Sequence, residues 1–279
     1  MKFTRKKHFA RKQNCEIYTK FYTFHEFLPI SSSGHLIIIA EISQNRHHNL
    51  HFDIAVHSGS LLAVILYYRN EMRIVISGLK KNLALDFSNK DSIFFWLLIL
   101  ATLPVLIIGL SLKLTGLLDA IRSPGTVAFG MIVFGLILYF VDQISDLNRK
   151  QGEWTARDAI IMGLWQSVAL IPGTSRSGNT ITAARLLGFC RESSVNLSML
   201  MSVPTILASS VILFLDVLSS DTPPTMLTYL FAAGVLSFLA AFMSINLLIN
   251  FIRLKNFTPF VIYRVLFGVV ILLVMYSNY

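Results

Sequence analysis

Six long apolar stretches dominate this chain and restrict it to a membrane. They cover residues 52–68, 92–112, 125–141, 194–218, 226–251 and 259–276. A helix needs roughly 20 apolar residues to cross a bilayer, and each stretch meets or nearly meets that length. Only 14% of the 279 residues are charged, compared with about 25% in soluble domains. We therefore predict an all-α integral membrane protein with about six transmembrane helices.

Two short polar runs interrupt the apolar sequence, one in each half of the chain. They occupy residues 29–35 (PISSSGH) and 172–180 (PGTSRSGNT), and both contain Pro followed by Ser-x-Ser-Gly. Non-helical backbone at membrane depth is tolerated only where protein or a water-filled cavity satisfies its polar groups. Broken segments in both halves of a chain indicate an internal repeat with a binding site between them. We predict two re-entrant helical hairpins in an inverted-repeat topology.

The polar segment 142–158 separates the two halves. It divides a single membrane domain, residues 26–279, into repeat halves of roughly 26–141 and 159–279, while residues 1–25 form an atypical basic N-terminal segment. Residues 70–91 mix apolar and charged side chains, which predicts an amphipathic helix on the membrane surface. Pro104 and Pro204 fall inside predicted spans, where proline usually causes a kink.

The basic residues lie in the connections between apolar runs, so the formal net charge of +9 indicates a membrane surface and no nucleic-acid partner. For six spans and two hairpins, the side with fewer basic residues carries Arg46, Lys113 and Arg122. The other side carries Arg69, Arg73, Lys80, Lys81, Lys90, Arg149, Lys150, Arg157, Arg185, Arg191, Arg253 and Lys255. Loops on the cytoplasmic side of a membrane carry an excess of Lys and Arg. The side with more basic residues is therefore predicted to be cytoplasmic and the C-terminus external. The basic residues within 1–25 do not fit this count.

The second polar run has the composition of a phosphate-binding loop. Arg176 is costly at membrane depth, where arginines usually face a cavity or a partner, and its planar guanidinium matches phosphate oxygens in a bidentate manner. A helix beginning near Asn179 would offer N–H groups and its positive dipole end to an anion. The candidate phosphate ligands are Gly173, Ser175, Arg176, Ser177, Gly178 and Thr180. The structural alternative is an arginine that caps carbonyls or pairs with a buried carboxylate.

The first polar run supplies acid–base and nucleophilic groups. Glu26 can hold Mg²⁺ or Ca²⁺ through hard oxygen ligands, and His35 can exchange a proton near neutral pH. Ser32 becomes a nucleophile only with such a base nearby. Ser31, Ser33 and Gly34 form the rest of the turn and are candidate substrate- and phosphate-binding residues. Taken alone, such a run is more often an N-cap and turn, but its pairing with the second run favours a site.

Together the two runs would assemble a phosphoryl-transfer site if they meet at mid-depth. The site would contain an arginine, helix ends, a carboxylate and a His/Ser pair. A site reached from within the bilayer and open to water on one face suits a lipid phosphate or diphosphate. The protein partner that we expect is a second copy of this chain, in a homodimer.

Both runs resemble the signatures of the undecaprenyl-diphosphate phosphatase family, of the bacitracin-resistance type. The resemblance is carried by EFLPISSSGHL at 26–36 and PGTSRSGNT at 172–180, and extends through 52–69, with GSLLA at 59–63, and through FTPFVIYR at 257–264. It implies a bacterial inner-membrane enzyme that removes the terminal phosphate of the C55 diphosphate, recycling the lipid carrier for peptidoglycan synthesis. It further implies bacitracin resistance, a divalent cation and an outward-facing site. The catalytic and phosphate-binding residues that it implies are Glu26, Ser32, His35, Ser175, Arg176 and Thr180.

Three alternatives remain beside this resemblance. The family pattern has a second glutamate, followed by glycine, four residues before Glu26, but this chain has Tyr22 and Thr23 there, so a catalytically impaired relative is one alternative. Type-2 phosphatidic-acid phosphatases, a second alternative, place a histidine six residues after the arginine; this chain has Thr182 there, which argues against them. A lipid-phosphate or anion transporter also fits, because inverted repeats with broken helices are transporter architecture.

Several other polar residues fall within the apolar runs. Arg264 either contacts the substrate head or satisfies helix carbonyls, and the sequence leaves both open. Asp53 and His57 share a helix face by their spacing, which favours a structural pair over a metal site. Tyr263 is expected to face lipid or the core.

Overall fold

A computed structural model describes residues 27–31, 35, 50–117, 121–145, 148–217 and 224–277. Within these ranges the chain forms nine α-helices and one short 3₁₀ helix, Gln151–Glu153. The helices are α1 (Leu50–Tyr67), α2 (Arg69–Leu83), α3 (Lys90–Leu114), α4 (Pro124–Ile144), α5 (Ala156–Val168), α6 (Arg176–Leu186), α7 (Arg191–Val217), α8 (Pro224–Leu254) and α9 (Thr258–Ser277). The described residues contain no β-strand, only an isolated bridge between Arg149 and Phe189.

All six predicted apolar stretches lie in helices, which confirms an all-α integral membrane protein. Five of the described helices, α3, α4, α7, α8 and α9, are long and apolar enough to cross a bilayer. The sixth, α1, has a shorter apolar part over Ile54–Tyr67. Helix α7 is the most enclosed of the five, with 61% of its apolar window buried, because it packs against α1, α3, α6 and α8.

Helix α2 has the properties of a helix that lies on a membrane surface. Its apolar side chains Ile74, Ile76 and Leu79 are exposed, on the same short helix as Lys80 and Lys81. Its buried side packs against α3. The amphipathic helix is shorter than the predicted 70–91: it ends at Leu83, and Lys90 and Asp91 belong to α3, where the Asn89 side chain accepts from the backbone N–H of Asp91.

One end of the helical bundle is held together by ion pairs, and we call it the basic end. The carboxylate of Asp142, at the end of α4, accepts hydrogen bonds from Arg185 of α6 at 3.1 Å and from Arg191 of α7 at 2.8 Å. Arg149 pairs with Asp158 at the start of α5, at 2.6 Å. Burial disfavours the ionised Asp158, yet the hydrogen bonds from Arg149 and from Thr155 prevail and hold the pKa of this carboxyl below its usual value.

The basic end also anchors α8. Arg253, near the end of α8, pairs with Glu192 at the start of α7, at 2.7 Å. The arginines in these pairs all belong to the twelve basic residues that the sequence assigned to one side. The structure therefore places these four arginines at one end of the bundle.

Helices α5 and α6 form a hairpin that enters and leaves at the basic end. The ion pairs of Asp158 and Arg185 fix the start of α5 and the end of α6 there. With 13 and 11 residues, the two helices rise about 20 and 16 Å, less than the roughly 30 Å of a hydrocarbon core. This is the geometry of a re-entrant hairpin. The residues predicted to form a hairpin in the first half lie largely outside the described residues.

Candidate functional site

The tip of the α5–α6 hairpin lies against the first two turns of α4. Gly173 has a φ of +90°, and an added Cβ there would lie 2.8 Å from Val127 Cα and closer still to the Val127 carbonyl oxygen. A Cβ on Gly130 would lie 2.6 Å from the Pro172 carbonyl oxygen. Glycine is needed at both positions because the two backbones meet. Since α4 begins at Pro124, the tip lies about 5 to 9 Å along α4 from the end opposite the basic end.

Ser175 ends the tip and begins α6. Its φ is +70°, and its Oγ accepts a hydrogen bond of 3.1 Å from the N–H of Gly178. The helix consequently starts at Arg176, so the expectation of a start near Asn179 is wrong by three residues. The first N–H groups of a helix have no carbonyl partner within it; here Ser175 takes the N–H of Gly178, and those of Arg176 and Ser177 lie beside the tip. Arg176, in the first turn, is half-buried.

One residue of the first loop shares an unusual φ with its counterpart in the second. Aligning the Ser-x-Ser-Gly motifs places Ser31 opposite Ser175, and Ser31 has a φ of +67°. Among the described residues only one other non-glycine residue, Leu85, has a positive φ. Such conformations cost about 1–3 kcal/mol each and cluster at functional sites. The similarity of the two runs therefore extends from sequence to backbone geometry.

The two loops touch, although 149 residues separate the contacting positions. The hydroxyl of Ser177 donates a hydrogen bond of 3.1 Å to the carbonyl oxygen of Leu28. The structure thus brings the described parts of both runs together, as the sequence anticipated. Glu26, Ser32, Ser33 and Gly34 lie outside the described residues.

His35 is held by two hydrogen bonds, one on each ring nitrogen. Nδ1 lies 2.7 Å from the carbonyl oxygen of Ser31, and Nε2 lies 2.5 Å from the hydroxyl of Tyr263 on α9. The imidazole is buried and stacks on Phe267, with ring centroids 4.5 Å apart. Since a carbonyl can only accept, Nδ1 carries the proton, and Nε2 of the neutral ring accepts from Tyr263.

Tyr263 was missed by sequence reasoning, which assigned it to lipid or the core. It lies 228 residues from His35, so no local spacing connects the two. The one signal was its position inside the FTPFVIYR segment that carries part of the family resemblance.

Arg264 lies fully buried behind the tip of the hairpin. Its Nη2 donates to the carbonyl oxygens of Gly130, Gly173 and Thr174 at 3.2, 3.2 and 2.8 Å. Arg264 therefore satisfies carbonyls, as one of the two alternatives predicted, while contact with a substrate head stays a prediction. Its Nε and Nη1 are buried without a hydrogen-bond partner, and Nη1 is so near Gly178 that a Cβ there would lie 2.8 Å away. No carboxylate pairs with Arg264 among the residues described.

Thr180 is buried between α6 and α7. Its hydroxyl lies 3.0 Å from the Arg176 carbonyl oxygen and 2.6 Å from the hydroxyl of Ser198. In this structure the Thr180 side chain joins the start of α6 to α7. The Asp53 side chain lies outside the described residues, so the pairing predicted with His57 has no structural account.

The described part of the site is electropositive. It contains Arg176, Arg264 and the N-terminus of α6, whereas the ion-paired carboxylates Asp142 and Asp158 lie at the basic end. No group of three His, Cys, Asp or Glu side chains that could hold a metal ion occurs in the described ranges. These residues therefore fit an anion, and they do not by themselves form a metal centre.

The fold and the two loops define a multi-pass membrane protein with a broken-helix site suited to an anionic group. The family model described as Bacitracin resistance protein BacA matches residues 23–270. The chain belongs to this family.

Curated relatives of this chain are named undecaprenyl-diphosphatase. An undecaprenyl-diphosphatase of Dinoroseobacter shibae is 45% identical over 252 residues, which cover 90% of this chain and 94% of the relative. An undecaprenyl-diphosphatase of a Jannaschia species has the same identity and coverage. One of Aliivibrio salmonicida is 41% identical over 246 residues, 88% of this chain and 91% of the relative. The similarity thus spans both loops and nearly all of the membrane domain.

Proposed function

We propose that this protein is an undecaprenyl-diphosphate phosphatase. It would hydrolyse the C55 lipid diphosphate to undecaprenyl phosphate and phosphate, recycling the carrier for peptidoglycan synthesis and giving bacitracin resistance. Family membership and the names of the relatives support this function. The observation that carries it is the contact between Ser177 and Leu28, because it joins an anion-binding loop to a loop that holds a histidine.

In this proposal the second loop holds the diphosphate. Arg176 and the N–H groups of the first turn of α6 bind phosphate oxygens, as helix N-termini and guanidinium groups do elsewhere. Gly173 allows the backbone of the tip to contact α4, and Arg264 donates hydrogen bonds to the carbonyl oxygens of the tip. The substrate would then meet a rigid electropositive surface, which stabilises the charge that develops on the transferring phosphoryl group.

The first loop would supply the attacking oxygen and its base. The hydroxyl of Ser32, or a water molecule in its place, attacks the terminal phosphorus and loses its proton toward His35. The bond from that phosphorus to the bridging oxygen breaks, and undecaprenyl phosphate leaves as an anion. If Ser32 attacks, water then hydrolyses the phosphoserine. A general base must be neutral with a free electron pair, and in the neutral ring the Ser31 carbonyl leaves that pair on Nε2, beside the Tyr263 hydroxyl.

A divalent cation, Mg²⁺ or Ca²⁺, is a further part of the proposal and would rest on Glu26. Hard oxygen ligands suit either ion, and the described part of the site adds hydroxyl and carbonyl oxygens but no carboxylate. Bound there, the cation would neutralise charge on the diphosphate. A homodimer remains a prediction.

We further propose a bacterial inner membrane with the site facing the periplasm or the outside. The tip lies near the start of α4, opposite the basic end. Because basic residues accumulate in the cytoplasm, the opposite end of the bundle, and with it the tip, would face outward.

Phosphate release from undecaprenyl diphosphate by the purified protein in detergent tests the function. Arg176→Ala should abolish release, and Arg176→Lys should restore only part of it because lysine cannot bind in a bidentate manner. Arg157→Ala is the matched control, since Arg157 is exposed near the basic end. Thermal unfolding must show that all variants are folded.

Two results would contradict the proposal. Wild-type turnover in Arg176→Ala would remove Arg176 from the mechanism. Flux of a phosphate lipid or anion across proteoliposomes, without phosphate release by the wild-type protein, would favour the transporter.

A further inference from the structure

The contact between His35 and Tyr263 restricts how His35 can exchange a proton. The two imidazole nitrogens already have partners, the Ser31 carbonyl oxygen at 2.7 Å and the Tyr263 hydroxyl at 2.5 Å. The carbonyl holds the proton on Nδ1 in the neutral ring. The basic nitrogen is therefore Nε2, and the Tyr263 hydroxyl covers it.

The surroundings fix this geometry. The rings of Tyr263 and Phe267, one turn apart on α9, stack with an interplanar angle of 9°, and His35 stacks on both. His35 is 6% exposed, whereas Tyr263 is 37% exposed. Tyr263 is thus the more exposed member of the pair, and its hydroxyl lies on the basic nitrogen of a buried imidazole.

We propose that Tyr263 relays protons between the reacting oxygen and His35, an inference that rests on the proposed phosphatase function. As the nucleophile attacks phosphorus, its O–H bond breaks and its proton passes to Oη of Tyr263. The original phenolic proton passes to Nε2 of His35. Tyr263 ends the step neutral and unchanged, His35 gains one proton and one positive charge, and no further reactant is needed.

The helices around this pair carry other charged or titratable groups. Arg264 follows Tyr263 on α9, but consecutive helix residues do not face each other, and its guanidinium bonds the carbonyls of the hairpin tip. Among the described residues, the other charged or titratable side chains on α4 and α6 are Tyr139 and Asp142 on α4, and Arg176 and Arg185 on α6.

Tyr263→Phe tests the relay, because it removes only the hydroxyl and keeps the ring stack. We expect kcat for phosphate release to fall by about 10²-fold, the usual scale of a lost acid–base group, with little change in KM. The pH dependence of kcat should lose the limb that reports His35. Rates in H₂O/D₂O mixtures should change from a curved dependence, typical of two protons moving together, to a linear one. Tyr276→Phe on the exposed end of α9 is the control.

Nitrogen NMR of His35, assigned with His35→Asn, tests the inference independently of activity. The wild-type ring should be the Nδ1–H tautomer, and Tyr263→Phe should shift the Nε2 resonance. A wild-type Nε2–H tautomer would overturn the relay even in an inactive preparation. Unchanged kcat, pH profile and isotope dependence in an active, folded Tyr263→Phe would overturn it while leaving the phosphatase function intact.

Discussion

Replacing Gly173 with alanine should displace the tip of the α5–α6 hairpin and nearly abolish turnover. At its φ of +90° an L-residue is strained, at a cost of about 1–3 kcal/mol. The new Cβ would also lie 2.8 Å from Val127 Cα, inside ordinary contact distance. The tip must therefore move by about 1 Å, which is enough to reduce a rate about 10²-fold.

The same movement should loosen the bonds that Arg264 donates to the carbonyls of Gly173 and Thr174. Hydrogen bonds to charged groups contribute about 1.5–3 kcal/mol. Partial loss of these two hydrogen bonds, added to the backbone strain, should lower the free energy of unfolding by about 2–4 kcal/mol. Phosphate release and thermal unfolding in detergent would measure both effects.

Gly116→Ala provides a matched control for backbone strain. Gly116 also has a positive φ, +69°, but a Cβ there meets nothing within 4 Å. It should cost about 1 kcal/mol and leave turnover unchanged. If Gly173→Ala retained turnover within threefold of Gly116→Ala, the argument that the tip must fit closely against α4 would be refuted.

Two further substitutions test other parts of the molecule. Asp142→Asn removes the charge that Arg185 and Arg191 share at the basic end, and breaking such a buried pair should lower the stability in thermal unfolding by about 3–5 kcal/mol. Arg253→Met breaks an exposed pair and should have no measurable effect. Equal losses of stability in both variants would contradict the reasoning. Tyr22→Glu should restore the carboxylate pair of the family pattern and raise the rate of phosphate release that depends on added Mg²⁺ or Ca²⁺ and is lost with EDTA. A folded variant with no higher rate would show that the N-terminus differs from the family pattern by more than one metal ligand.

The helices and the two loops could be predicted from sequence because their signals are local. Apolar run length marks a membrane helix wherever it occurs, and Ser-x-Ser-Gly in both halves identified positions that share a rare backbone conformation at Ser31 and Ser175. The start of α6 was placed three residues late because the side chain of Ser175, rather than the end of the polar run, caps the helix.

The contacts of α9 could not be predicted in the same way. Tyr263 and Arg264 are consecutive residues, yet one bonds His35 and the other bonds the tip of the second hairpin. Which loop each side chain reaches depends on how α9 packs against α4, and no sequence spacing encodes that packing. The choice for Arg264 between substrate and carbonyls likewise required coordinates.

The serines at 31 and 175 share a positive φ but are followed by unlike groups. The next residue carries a hydroxyl in the first loop, Ser32, and a permanent cation in the second, Arg176. The bond from Ser177 to Leu28 joins these two loops across most of the chain. A fragment that contains only one of them would offer one kind of group, so neither half expressed alone should carry out the reaction.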